Sequence, residues 1–214
     1  MPQSPKNRSA GILREATRLF AGRGYEGTSL QAIAEAVGIR KPSLLYHFRS
    51  KSELRAAVMD KLLSRWSEVV PQVMAAATTG ENRFDAALSE ALEFFKAHPD
   101  AARLLMREVH DQPDEMRNRL RENMGPWVAL VTHYIRQGQE EGVIYPDLDP
   151  EAYVIETIIL VCGTFAVSDV IGKMSGDADD DSSERRIREM VRIARSSLFI
   201  ASTPALSGAG SEKN

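Results

Sequence analysis

One cysteine, Cys162, stands in a chain of 214 residues, which excludes a disulfide framework and fits a reducing compartment. No basic stretch followed by an apolar run opens the sequence, so no secretory signal is expected. The longest apolar run, Ile158 to Cys162, is far short of the roughly 20 residues a membrane span needs, so a cytoplasmic protein without membrane contact is expected. There is no glycine-rich phosphate loop. His98, His110 and His133 have no metal-ligand spacing with the cysteine or with one another, and Cys162 sits among apolar residues where a thiol is inert. No metal, no cofactor and no enzymatic activity are therefore expected. The run Asp177 to Asp181 lacks the glycine and terminal glutamate of a calcium loop and reads as a solvated loop.

What the chain does have is apolar periodicity and an uneven charge. Hydrophobic residues make up 43%, enough for one large domain or for a small and a larger one. The net charge of −3 hides a split. Residues 1–51 hold nine Lys/Arg against three Glu, a balance of +6, so the remainder carries −9. A basic head on an acidic body points to a polyanion contact confined to the first quarter.

Within that head, residues 28–48 have the pattern of two short helices and a tight turn. Thr28 precedes Gln31 by three positions, the spacing of a capping box. Leu30, Ile33, Ala34 and Val37 repeat at helical spacing. Gly38 is placed to close that helix in a left-handed conformation, and Pro42 suits the first turn of the next. Leu44, Leu45 and Phe48 are expected inside, which leaves Lys41, Ser43, Tyr46 and His47 outside, where phosphates and base edges are met. For His47 a packing or capping role is the alternative. Before this unit, residues 1–9 read as a loose arm, with Lys6 and Arg8 in reach of a phosphate or simply part of a frayed terminus. Ile12, Leu13, Ala16, Leu19 and Phe20 make an amphipathic helix that covers it.

After the head, a second capping box at Ser50–Glu53 opens a long helix through Trp66 to Val73, which Pro71 is expected to bend. Further helical patterns run through Phe84–Phe95, from Pro99 to about Gln112, and from Met116 to Glu141 with an interruption at Gly125–Pro126. Residues 151–174 are almost continuously apolar and need cover on more than one side; Ile187 to Phe199 supply a partner helix. Such an apolar pair asks for a second subunit. Residues 202–214 are rich in Ser, Gly and Ala and are expected to be a disordered tail. The expected fold is all-α, about nine helices, with a DNA-binding domain at 1–50 and a ligand-binding and dimerisation domain at 51–201.

Residues 9–60 resemble the N-terminal domain of the TetR (tetracycline repressor) family of transcriptional regulators. The resemblance rests on the Phe20–Gly24–Tyr25–Thr28 lead-in, Ile33–Ala34, Gly38, Tyr46–His47–Phe48 and Lys51. Arg40 and Leu45 depart from it, where the family often has a small hydroxyl residue and a tyrosine. The resemblance implies that Thr28 and Ser29 meet a phosphate, that Lys41, Pro42 and Ser43 face base edges with Arg40 nearby, and that Tyr46, His47 and Lys51 hold the DNA backbone. It also implies a homodimer on a palindromic double-stranded operator, built from the last two helices with Val154, Ile158, Phe165, Ile187, Val191 and Leu198 at the interface.

In the body, Trp66, Phe94, Phe95, Met106, Trp127, Val131 and Tyr134 are large side chains on four helices. With His110 they are expected to line an apolar ligand pocket, although any one of them serves equally well as ordinary core. Two function classes stand at this stage. One is a dimeric repressor released by a small hydrophobic effector. The other is a small-molecule carrier or enzyme that retains the helix-turn-helix as structure only.

Overall fold

The computed structural model describes residues 5–77, 79–171 and 180–200, with side chains described for 8–77, 79–171 and 182–200. Ten helices are described: α1 (Pro5–Arg23), α2 (Leu30–Val37), α3 (Lys41–His47), α4 (Lys51–Ala76), α5 (Gly80–Ala97), α6 (Pro99–Asp111), α7 (Pro113–Glu140), α8 (Pro150–Ala166), α9 (Ser168–Ile171) and α10 (Asp180–Leu198). Among the described residues no strand is present, only an isolated antiparallel bridge between Ile144 and Phe199. The expected tail at 202–214 and Asp177–Asp179 of the acidic run lie outside the described residues, while Asp180 and Asp181 open α10 rather than a loop.

The head is α1–α3 with the first turns of α4. Ile12, Ala16 and Phe20 of α1, Ile33 and Ala34 of α2, Leu44 of α3 and Leu54 of α4 are all fully buried. Leu45 is only half-buried. The first helix begins at Pro5, so most of the expected loose arm is helical.

The start of α2 corrects the expected cap by one residue. Ser29, not Thr28, is the N-cap, its side chain accepting from the Ala32 amide at 3.0 Å. The Thr28 hydroxyl points inward and donates to the carbonyls of Gly24 (2.8 Å) and Leu19 (3.1 Å), closing the corner between α1 and α2. Gln31 instead reaches Glu35. Gly38 has φ +75° and ends α2 as expected, with the Ile39 amide bonded back to Ala34 O at 2.9 Å. The second cap also holds: the Glu53 amide donates to Ser50 Oγ, and Glu53 Oε2 accepts from the Arg49 amide.

In the body, α4 packs along α7, α6 along α8, and α1 against α6. Pro71 lies inside α4 and Pro126 inside α7, and neither ends its helix. Each lacks the amide that would bond four residues back, so Ser67 O and Glu122 O lose their intrahelical donor. The expected interruption at Gly125–Pro126 is therefore one missing bond in a continuous helix. The Ser67 side chain crosses from α4 to donate to Asn123 O, one residue from that deprived turn in α7. The apolar stretch 151–174 does break, at Val167, giving the short α9 and a tenth described helix.

Candidate nucleic-acid interface and ligand cavity

The outer side of α3 is built by what its inner side anchors. Leu44 is fully buried and Phe48 nearly so, which fixes the rotation of a seven-residue helix and turns Arg40, Lys41, Pro42, Ser43 and Tyr46 outward. Tyr46 is 87% exposed, a large aromatic turned to solvent. His47 is half-buried, edge-on to Tyr46 at 5.5 Å between ring centres. Ser29 is exposed at the amino end of α2, where free amides favour an anion. A concavity of about 340 Å³ brings Arg8 of α1 beside Pro42, Ser43, Tyr46 and His47. Arg8, expected either in reach of a phosphate or in a frayed terminus, stands on α1 beside the outer face of α3.

Two residues of the expected set are engaged elsewhere. Thr28 is 1% exposed and uses its hydroxyl internally, so its side chain is not offered to DNA. Lys51 is half-buried, with Nζ 4.2 Å from the centre of the Tyr25 ring.

The body holds a partly open cavity of about 720 Å³. Helices α4 to α8 contribute to it, together with Ile144, Leu198 and Phe199. Trp66, Phe95, Met106, Trp127, Val131 and Tyr134 line it, as expected from their size and helical faces. On α7 these are Trp127, Val131 and Tyr134 at i, i+4 and i+7, one stripe facing the space.

Phe94 and His110 do not line it. Phe94 is core, edge-on to Trp66 (5.1 Å) and stacked on His98 (4.9 Å), and His110 is exposed on the last turn of α6. Phe94 turns instead to the side of α5 that meets Trp66 and His98, while Phe95, about 100° further round the helix, reaches the wall. The cavity also takes in Leu63, Val70, Leu105, Met124 and Cys162. Burial pushes the Cys162 thiol up to about 11, and burial likewise pushes Tyr153, on the same wall, up to about 12.

The expected interface residues divide. Val154, Phe165 and Leu198 are buried within the protomer, and Val154 and Ile158 face the cavity, so these side chains are spent on the chain's own core. Ile187 and Val191 are half-buried. Exposed apolar side chains include Ile155 (43% exposed) and Ile159 (47%) on α8, which also border the cavity, Val170 on α9 and Ile193 on α10. A helix as uniformly apolar as α8 carries no periodicity from which to read its rotation.

Head and cavity meet at α6. Its Leu105, Met106 and Val109 line the cavity, while Glu108 between them accepts from Arg55 of α4. The Arg55 guanidinium lies 5.0 Å from the Tyr25 ring centre, the same ring that Lys51 covers from the other cationic contact. Arg107 reaches the corner glycine Gly24, which has φ +74°. Asp60 of α4 pairs with Arg119 of α7, which also holds Glu115.

A small helical head with an exposed cationic and aromatic recognition face, tied by buried charge to a body with an apolar cavity, defines a helix-turn-helix transcriptional regulator. Residues 12–58 match "Bacterial regulatory proteins, tetR family", and residues 103–179 match "Tetracyclin repressor-like, C-terminal domain". The HTH-type transcriptional repressor KstR2 of Mycobacterium tuberculosis is 32% identical over 151 residues, 67% of this chain and 72% of that protein. The HTH-type transcriptional activator FasR of Mycolicibacterium smegmatis is 30% identical over 102 residues, 47% of each. In fold, the fatty acid degradation regulator FadR from Bacillus halodurans matches with a TM-score of 0.69 over 91% of this chain and 96% of its own, at 16% identity. The chain belongs to the TetR family and is a DNA-binding transcriptional regulator. None of its described helices is long and apolar enough to cross a membrane, and the described residues hold no cluster of metal-ligating side chains.

Proposed function

We propose that this chain is a homodimeric repressor in the cytoplasm, released from a palindromic operator when a small hydrophobic molecule occupies the cavity, and that it acts by binding and not by catalysis. The observation that carries the reading is the solvent-facing α3, with Arg40, Lys41, Ser43 and Tyr46 free on a helix whose other side is fully anchored. Arg40, Lys41, Pro42 and Ser43 enter the major groove. Ser29, Arg8, Tyr46, His47 and the far edge at Lys51 meet phosphates. The division into head and body falls near residue 50, at the Ser50 cap.

One seven-residue helix reads a few base pairs. Two related by a two-fold axis read half-sites about 34–36 Å apart or a multiple of that. Ile155 and Ile159 of α8, with Ile193 of α10, form the paired surface. The repressor direction accords with what KstR2 is named for.

Release follows from the shared helix. A ligand against Leu105, Met106 and Val109 displaces α6, and the buried Glu108–Arg55 pair carries that displacement into α4 and the Tyr25 corner. A coupling of about 1–3 kcal/mol between the two sites suffices for a 5- to 150-fold change in DNA affinity. The deciding measurement uses DNA fragments that the purified protein selects from genomic DNA. The double variant Lys41→Ala/Tyr46→Ala should lose their binding at fixed salt while folding normally. Unchanged affinity sinks the regulator reading in favour of a carrier or enzyme that keeps the helix-turn-helix as structure.

A further inference from the structure

The cavity wall is almost entirely apolar, and the charged residues that interrupt it are Arg83 of α5, Arg121 of α7 and Glu151 of α8. Arg121 and Glu151 are exposed and of opposite sign. Arg83 is half-buried, and among the described residues no carboxylate pairs with it.

Its own helix explains why. Glu81 and Asp85 stand two positions to either side of Arg83, about 200° round α5, and both pair with Arg195 of α10. Arg83 Nε donates to Met74 O at 3.3 Å, and the guanidinium carbon lies over the Tyr134 ring, 4.1 Å from its centre. Nη1 and Nη2 are left without a hydrogen-bond partner among the described residues, and neither is sealed from solvent. Tyr134 lines the cavity too, so this free end of the guanidinium stands at the wall. A cation half-removed from water among apolar side chains calls for an anion. The two N–H groups at the end of the fork match the two oxygens of a carboxylate.

Resting on the reading of this cavity as the effector site, we infer that the effector is an amphipathic monoanion. Its apolar body packs on Leu63, Trp66, Val131 and Ile158, and its one carboxylate is received by Arg83 Nη1 and Nη2. The body supplies most of the affinity, and the carboxylate fixes which end lies at Arg83. Tyr134 holds the guanidinium in place from below. Arg83 is thus a specificity-determining residue.

The test uses decanoate, 1-decanol and decyltrimethylammonium, which share one chain and differ in the charge of the head. Each is titrated near neutral pH below its micelle-forming concentration, and binding is read from the fluorescence of Trp66 and Trp127, both on the lining. Decanoate is expected to bind about tenfold tighter than decanol, the size of a charge-assisted pair of hydrogen bonds, and the cation more weakly than either. Arg83→Gln should bring decanoate down to the level of decanol while leaving decanol binding in place, which also shows that the cavity is intact. Arg83→Lys keeps the charge without the fork and should retain part of the preference. The inference is overturned by decanoate that binds no tighter than decanol, by a cation that binds as well as decanoate, by a decanoate preference that survives in Arg83→Gln, or by binding of none of the three. Decanol and decanoate that bind equally, and both release DNA, sink the carboxylate and leave the effector site standing. Decanoate that passes the binding tests yet leaves DNA affinity unchanged upholds the Arg83 site and refutes the release mechanism instead.

Discussion

Arg55 donates through Nε to Glu108 Oε2 at 2.7 Å, and its Nη2 lies 2.6 Å from the same oxygen, with 11% and 3% of the two side chains exposed. It is an ion pair between the helix that leaves the head and the helix that walls the cavity. Its second carboxylate, Glu115, is 3.6 Å away. A pair so removed from water is dearer to break than to replace.

Glu108→Gln should therefore lower stability by about 3 kcal/mol, because the arginine charge stays buried with only the more distant Glu115. Replacing both partners, Arg55→Met with Glu108→Leu, should recover most of that in urea unfolding. The double variant should still bind DNA but respond less to any ligand of the cavity. Full ligand response in a stable double variant refutes the coupling route.

Thr28 and Ser29 stand side by side and predict opposite outcomes. Thr28→Val removes a hydroxyl that serves two internal carbonyls, costing about 1–2 kcal/mol, with DNA affinity per folded molecule unchanged. Ser29→Ala removes the α2 cap, at about 1 kcal/mol, and also weakens DNA binding. Comparing each midpoint of thermal unfolding with each operator affinity separates the roles.

Stability should fall on the alkaline side in two steps. Burial raises Cys162 from 9.0 to about 11 and Tyr153 from 10.0 to about 12, so each group stays protonated in the folded chain after it has ionised in the unfolded one. The contribution of each is complete below its unfolded value and is lost as pH rises toward its folded value, at about 1.4 kcal/mol per pH unit for each group. Between pH 9 and 10 the loss belongs to Cys162. Cys162→Ala should flatten urea midpoints over that unit, and a slope identical to the parent's contradicts it.

Ile159→Glu and Val154→Glu test which side of α8 faces a second copy. Ile159 is 47% exposed, so its charge should leave the monomer folded while abolishing the dimer in sedimentation and collapsing operator affinity. Val154 is 5% exposed, and a charge there should unfold the chain. A dimeric Ile159→Glu protein removes α8 from the interface.

How much of this was written in the sequence differs from site to site. The two helices of the head were legible because Gly38 and Pro42 punctuate them and Leu30, Ile33, Ala34 and Val37 repeat at helical spacing. The one-residue error at Thr28 arose because Thr28 and Ser29 are both good caps, and only the α1–α2 corner decides which hydroxyl turns inward. Residue size and helical stripe found Trp127, Val131 and Tyr134 in the cavity wall, but not which of Phe94 and Phe95 faces it. Gly24 beside Arg107 and the Arg55–Glu108 pair join residues far apart in sequence, and no local pattern announces them.

Pro71 and Pro126 belong to two helices that pack along each other, and the Ser67–Asn123 bond ties the turn behind one to the turn behind the other. Each helix thus has a missing rung at nearly the same level, a seam crossing both. Amide hydrogen exchange should divide at that level, with the rungs beside Ser67 and Glu122 opening before those on either side. Trp127 sits one residue from the seam. A molecule packed on the Trp127 side of the cavity therefore also splints that turn of α7.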